Sequence, residues 1–293
     1  MQDSIRLPGD DAIADRTLLD FRGHRLFLRS GGQGGHLLLI HGFPTSGLDW
    51  MRLWPALACD HRLHAIDMLG FGRSDKPVDF AYSIAASADQ WEALARHVGI
   101  DEAIVLAHDY GDTVAQELLA RQIEGRLPFR IRAVAFLNGG LFPEAHHALA
   151  IQKLLLGPLG PLIARLSSHR RFASSMRRIC ALPPDEAELR EHWNLLMRAG
   201  GKRVIPKLLR YIPERKANRE RWVGALRSAN IPLCLIDGIA DPVSGVDIVS
   251  CWRKELPGKV VIELDGIGHY PQIEAPERVL AAFRDFAAGP WNA

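Results

Sequence analysis

Seven short runs in this 293-residue chain are dominated by apolar residues: 26–29, 37–41, 63–67, 103–107, 133–137, 233–237 and 260–264. A sheet with one wet face alternates apolar and polar residues, and most of these runs do not alternate. Both faces of such strands must be covered, which suits a mostly parallel sheet. Stretches 90–98 and 114–122 carry the periodicity of crossover helices, so the sequence predicts an α/β domain with helices on both faces of the sheet. The opening of the sheet reads as a hairpin, with 17–21 and 25–28 flanking Arg22-Gly23-His24, followed by a glycine-rich loop at 31–35. Between Leu137 and Leu233 the strand pattern stops, and Leu- and Arg-rich helical periodicity broken by Gly and Pro takes over. The expected organisation is a core domain from 1–140 and 229–293 with a helical cap, or lid, at 141–228.

The composition, 47% apolar and 24% charged, is that of a globular protein. No apolar run approaches bilayer-spanning length, and residues 1–15 are acidic without a signal-peptide core, so a cytoplasmic location and no integral membrane segment are expected. Cys59, Cys180, Cys234 and Cys251 lie far apart without metal-binding spacing, so free thiols, no metal and no cofactor are expected. The net charge of +2 conceals a basic block: residues 142–222 hold 16 Lys and Arg against 7 Asp and Glu. No nucleic-acid motif accompanies it, and the arginines interleave with helical apolar positions. The block therefore reads as the solvated surface of a lid, with contact to a membrane surface as the alternative and no nucleic-acid partner; a homodimer is compatible with the sequence.

The run Val105-Leu-Ala-His-Asp109-Tyr-Gly111 ends an apolar strand in a small-x-Asp-x-small pentapeptide and opens a helix. Small residues at Ala107 and Gly111 are what a sharp strand-to-helix turn needs, and such a turn holds its apex residue under strain. The plain alternative is Asp109 as an ordinary helix N-cap. As a nucleophile, an aspartate suits attack on sp3 carbon, since attack on an acyl group would only exchange it for an anhydride. A strained epoxide oxygen or a halide leaves, and an alkyl ester remains to be hydrolysed. The companions of such a nucleophile occur in the expected order. Gly42 and Pro44 bracket Phe43 after a strand, so the Phe43 and Tyr110 amides are expected to form an oxyanion hole. Asp241, with Asp237 as its rival, follows a later strand as the histidine-orienting carboxylate, and His269 follows the next as the base. The turn at Gly70-Phe-Gly-Arg-Ser-Asp75 lacks a dinucleotide context and reads as structural.

From about Thr17 to Phe286 the chain resembles the α/β-hydrolase family. Its motifs His41-Gly-Phe-Pro and His108-Asp-Tyr-Gly resemble the epoxide hydrolase branch. The longer runs His108-Asp-Tyr-Gly-Asp-Thr-Val-Ala-Gln-Glu-Leu, Leu137-Asn-Gly-Gly-Leu-Phe-Pro-Glu and Arg221-Trp-Val-Gly-Ala-Leu are similar to the subgroup of mesoderm-specific transcript proteins. The resemblance implies an Asp109, His269, Asp241 triad and an apolar epoxide as substrate, with water as the second reactant. It also implies that Tyr211, in Leu208-Leu-Arg-Tyr-Ile-Pro-Glu-Arg, protonates the departing oxygen. His41, Trp50, His108, Phe142 and Tyr270 are expected around the substrate pocket. A second cap tyrosine is absent, leaving His146, His147, His169 or His192 as its substitute or Tyr211 alone. Two alternatives stand beside this reading: a haloalkane dehalogenase using the same aspartate, and a hydrolase-fold binding protein without catalysis.

Overall fold

In the computed structural model, which describes residues 14–289, eight strands form one sheet in the order β1-β2-β4-β3-β5-β6-β7-β8. These are β1 (Asp15–Phe21), β2 (His24–Gly31), β3 (Gly35–Ile40), β4 (His61–Asp67), β5 (Glu102–His108), β6 (Arg130–Leu137), β7 (Leu233–Gly238) and β8 (Val260–Leu264). The hairpin β1-β2 and the pair β2-β4 are antiparallel, and every other pairing is parallel. The mostly parallel sheet with helices on both faces expected from the sequence is the one observed. Six of the seven apolar runs lie wholly on strands and 37–41 passes one residue beyond β3, and the hairpin turns at Arg22 and Gly23, both with positive φ. Residues 1–13 lie outside the described part, and with them most of the N-terminal segment on which the signal-peptide expectation rested.

Helices cover both faces. They are α1 (Trp54–Leu57), α2 (Ile84–Val98), α3 (Tyr110–Ile123), α4 (Ala150–Leu156), α5 (Gly160–Arg165), α6 (His169–Ile179) and α7 (Glu186–Met197). After them come α8 (Ile205–Leu208), α9 (Tyr211–Ala217), α10 (Arg219–Ser228), α11 (Val246–Glu255), α12 (Pro271–Glu274) and α13 (Pro276–Ala287). Helix α2 starts earlier than its apolar periodicity suggests, because the Ser83 side chain caps it by accepting from the Ala86 N–H at 3.0 Å. The core divides into two clusters, one on each face of the sheet: the larger includes Trp91, Val114, Leu118 and Trp252, and the other Trp50, Trp54 and Phe283. Helices α4 to α10 all fall between β6 and β7 in the chain. Among the described residues no helix is long and apolar enough to cross a membrane.

Strand order places the chemistry. β3 lies between β4 and β5, so the chain leaves β3 for one side of it and returns on the other. Such a switch opens a crevice outside the carboxyl ends of the strands. Ile40 and Ala107 are paired at those ends, which brings the segments carrying Phe43 and Asp109 side by side.

Candidate active site

Asp109 sits between β5 and α3 with φ 47° and ψ −103°, a left-handed conformation that costs a non-glycine residue about 1–3 kcal/mol. The turn is tight against the neighbouring strand. A Cβ added to Gly111 would stand 2.3 Å from the Ile40 carbonyl oxygen, and one added to Gly42 would stand 2.5 Å from His108 Nδ1. Two glycines therefore let the elbow and the β3 loop touch. The Phe43 N–H then donates to Asp109 Oδ2 at 3.1 Å. Tyr110 opens α3, where the first amides of a helix have no partner within it.

His269 follows β8 in a loop fixed by its own amide, which donates to the Ile179 carbonyl at 2.9 Å, and its Nδ1 lies 2.7 Å from Asp241 Oδ2. Asp241 is anchored in turn by the Asn138 side-chain amide at 3.1 Å, the Ser244 hydroxyl at 2.7 Å and the Val243 N–H at 2.8 Å. The rival carboxyl, Asp237, faces Asn138 at 3.4 Å, leaves Oδ2 without a partner and does not meet the histidine. Burial pushes the Asp237 carboxyl well above its ordinary value, as does the neighbouring Asp241 charge. Asp112, one turn beyond Asp109, is pushed up for the same reason and by the neighbouring Asp109 charge.

Above Asp109 lies a cavity of about 150 Å³ whose wall includes Phe43, Asp109, His146, Gln152, Tyr211 and His269, with Leu155, Phe172, Met176 and Trp193 supplying apolar surface. Tyr211, at the start of α9, packs its ring 5.1 Å from Tyr110 and 6.0 Å from Phe43. One turn later, Arg215 is buried beneath it. Its guanidinium lies 4.5 Å from the Tyr211 ring centre, donates to the Asp109 carbonyl at 2.9 Å and to Thr113 Oγ1 at 2.7 Å, and stands 3.4 Å from Asp109 Oδ1.

The charge state follows from these neighbours. Burial by itself would raise the Asp109 pKa, but Arg215 first, and then His269, outweigh it, and the carboxyl is held below its ordinary value. Burial works against protonation of His269, yet Asp241 and the hydrogen bond to it, with help from Asp109 and Glu274, lift it to about 9. Tyr211 is pushed up by burial and by the Asp109 charge, so its hydroxyl keeps its proton. His146 is driven down to about 3 by burial and by Arg215, and its buried Nε2 has no hydrogen-bond partner. The site thus sets a carboxylate beside two cationic groups, Arg215 and His269, with the neutral Tyr211 hydroxyl and His146 imidazole in the wall of the same cavity.

The profile of the alpha/beta hydrolase fold matches residues 35–276. The chain belongs to the α/β-hydrolase family. It is 42% identical over 282 residues to the mesoderm-specific transcript homolog protein of Bos taurus, covering 91% of this chain and 84% of that one. Among solved structures it is similar to the epoxide hydrolase CorEH without ligand, with a TM-score of 0.76 at 21% identity over 94% of this chain and 99% of that one. It is likewise similar to the haloalkane dehalogenase DatA from Agrobacterium tumefaciens C58, with a TM-score of 0.80 at 20% identity over 94% and 96%. At those identities the two structures share its fold.

Five residues of this α/β-hydrolase expected around the substrate pocket stand behind the cavity wall instead. His41, Trp50, His108, Phe142 and Tyr270 are all fully buried and none reaches the cavity. Their work is internal: His41 Nε2 accepts from the Met68 N–H at 3.0 Å, His108 Nε2 donates to the His269 carbonyl at 2.8 Å, and the Tyr270 hydroxyl donates to the Phe43 carbonyl at 3.2 Å. Polar residues in the motifs brace the loops, and most of the cavity wall comes from the segment inserted between β6 and β7. Of the four histidines named as substitutes for a second tyrosine, only His146 lines the cavity. His147 is exposed and pairs with Asp247 at 2.7 Å, His169 lies near Glu186 at 3.6 Å, and His192 is buried 3.9 Å from Asp49. Arg215, Asn138 and Gln152 had no role assigned from sequence. The signal for Arg215 was present, since it follows Tyr211 by four residues and so shares its helix face.

Proposed function

We propose that this hydrolase is an epoxide hydrolase, acting without a cofactor on a small apolar epoxide, with residues 141–228 as its cap. The observation that carries the reading is an ionised aspartate, not a serine, at a strained elbow beneath an apolar cavity that also holds the Tyr211 hydroxyl. Because Oδ2 occupies the Phe43 amide, Oδ1 is the attacking atom. It forms a bond to an epoxide carbon while the carbon–oxygen bond breaks, and Tyr211 gives its proton to the oxygen that leaves. Gln152 favours that geometry: its Oε1 accepts from the Leu149 N–H at 2.8 Å, which leaves its amide N–H to meet the Tyr211 oxygen and the tyrosine proton free for substrate. His146 supplies a second polar contact to the same oxygen. His269, oriented by Asp241, then takes a proton from water, and the hydroxide attacks the ester carbonyl carbon. The Phe43 and Tyr110 amides hold the tetrahedral oxyanion, whose collapse releases the diol and restores the carboxylate. The proton on His269 returns to the tyrosine, so epoxide and water are consumed and diol formed.

Dehalogenation needs donors for a departing halide beside the nucleophile. The two residues that flank the nucleophile, Tyr110 and Phe43, do not supply them: the Tyr110 hydroxyl is 2.7 Å from Ser87 Oγ and the Phe43 ring has no donor. The deciding experiment is a single turnover with excess enzyme in heavy-oxygen water. The first diol should carry ordinary oxygen at the attacked carbon, and the label should enter the peptide containing Asp109. Heavy oxygen in that first diol with none in the peptide would recast Asp109 as a base and end the covalent reading. In His269→Gln the same peptide should accumulate the substrate's mass.

A further inference from the structure

The cap carries an exposed apolar face that the chemistry below it does not use. Ten large hydrophobic side chains are exposed among the described residues, and six of them, Ile151, Leu154, Leu159, Leu162, Leu166 and Leu182, fall in one short part of the cap. Leu159, Leu162 and Leu166 are 64%, 54% and 62% exposed and spaced to line one side of α5, while Ile151 and Leu154 line one side of α4. Beside them runs a groove walled by Ile151 and Leu154 of α4, by Leu166 just past α5, and by Arg170, Arg171 and Arg178 of α6. Leucines so exposed and so grouped mark a contact surface, because scattered exposure is ordinary and clustering is not.

Charge says what covers it. From Leu149 to Pro184 the chain carries six cations, Lys153, Arg165, Arg170, Arg171, Arg177 and Arg178, and no carboxylate. Arg170 and Arg178 have no carboxylate partner among the described residues, although ion pairs are plentiful elsewhere on the surface. A leucine ridge rimmed by unpaired arginines matches a surface whose interior is hydrocarbon and whose headgroups are negative. Position adds a third argument. Ile151, Ser168, Arg171 and Ser175 belong to both the groove and the wall of the cavity over Asp109, so whatever sits on this face adjoins the reacting carboxylate's cavity.

We propose that the α4–α5 face of the cap docks on an anionic phospholipid surface, so that apolar substrate enters the cavity from the lipid. The docking stands apart from the epoxide reading, and its test measures binding rather than turnover. The full chain is sedimented with vesicles of phosphatidylcholine alone or of equimolar phosphatidylcholine and phosphatidylglycerol. Pelleting with the anionic vesicles, weakened by salt and by pure phosphatidylcholine, is expected. In Leu159→Ser/Leu162→Ser/Leu166→Ser the partition should fall at least about tenfold. Arg170→Glu/Arg178→Glu should lose the preference for phosphatidylglycerol. Unchanged circular dichroism and melting temperature exclude misfolding in both variants. No pelleting with either vesicle, or equal pelleting of wild type and both variants, overturns the proposal. So does a wild-type dimer in light scattering that the triple-serine variant converts to monomer, since a second copy would then cover the face.

Discussion

At the scale of single residues, the site is governed by how two charges see one another. His269 faces Asp241, Asp109, Glu274 and the neutral His108, with Ser244 beside Nδ1, and the carboxylates together lift it to about 9. A histidine protonated at neutral pH is a poor base for the second step. In the proposed reaction esterification would change this, because it would remove the Asp109 charge that helps hold the proton and so lower the His269 pKa for the second half-reaction. Ester breakdown in single-turnover experiments should therefore rise with pH and level off below pH 9, whereas ester formation should not follow that titration. If formation and breakdown shared one profile, the coupling would be absent. The same shift bears on stability. A folded-state pKa raised from 6.5 to about 9 contributes stability fully present below pH 6.5 and lost as pH rises through 9. Lys76, depressed to about 8 by burial, has the opposite sign, so the informative quantity is the difference between proteins. Wild type should lose up to about 3 kcal/mol more than His269→Gln across that window in denaturant titrations.

At the scale of one element, α9 ties the helices inserted between β6 and β7 to the end of β5. Tyr211 and Arg215 project from one side of it, the first into the cavity and the second onto the backbone and carboxylate of Asp109. Replacing Arg215 by Met keeps the apolar stem but leaves a buried carboxylate with one cation fewer. Removing one partner of a buried pair typically costs about 3–5 kcal/mol, and part of that is avoided here if Asp109 takes up a proton instead. Arg215→Met should thus show both a lower melting temperature and an epoxide turnover that recovers only at higher pH. A loss of stability with an unchanged pH profile would mean that Arg215 only ties the cap down. Tyr211→Phe separates the two functions of the helix. It should reduce epoxide turnover while leaving any haloalkane activity nearly intact, since a halide leaves without a proton; equal losses would reduce the tyrosine to a wall of the pocket.

At the scale of the whole molecule, the carboxyl ends of β3, β5, β6, β7 and β8 deliver Phe43, Asp109, Asn138, Asp241 and His269 to one crevice. Five loops from one sheet edge converge because parallel pairing keeps those ends together, and close approach is paid in side-chain volume at the elbow. Gly111→Ala inserts a methyl group where the Ile40 carbonyl stands 2.3 Å away, and neither backbone can swing aside without disturbing the β3–β5 pairing. A stability loss of about 1–3 kcal/mol is expected, as for other overpacked sites, together with a displaced Phe43 amide and lower turnover. A variant of wild-type stability and activity would show that the elbow has slack.

The sequence by itself determined the sheet and the order of its chemistry. Uniformly apolar runs such as 103–107 and 133–137 need both faces covered, as between two helical layers, and a small-Asp-small turn after one of them has few ways to fold. Asp109, His269 and the Phe43 amide were legible for that reason, because each is tied to a strand end by local pattern. Asp241 reads ahead of its rival Asp237 from its place just past the strand end, and the contacts that separate the two in space, from Asn138, Ser244 and the His269 loop, are tertiary. Spacing puts Arg215 on the helix face of Tyr211 but not against Asp109, and it shows neither that His146 alone of four histidines reaches the cavity nor that His41, Trp50, His108, Phe142 and Tyr270 stand behind its wall. Those depend on how α4 to α10 lie across the sheet, and that arrangement is fixed by packing between residues far apart in the chain, which periodicity does not encode.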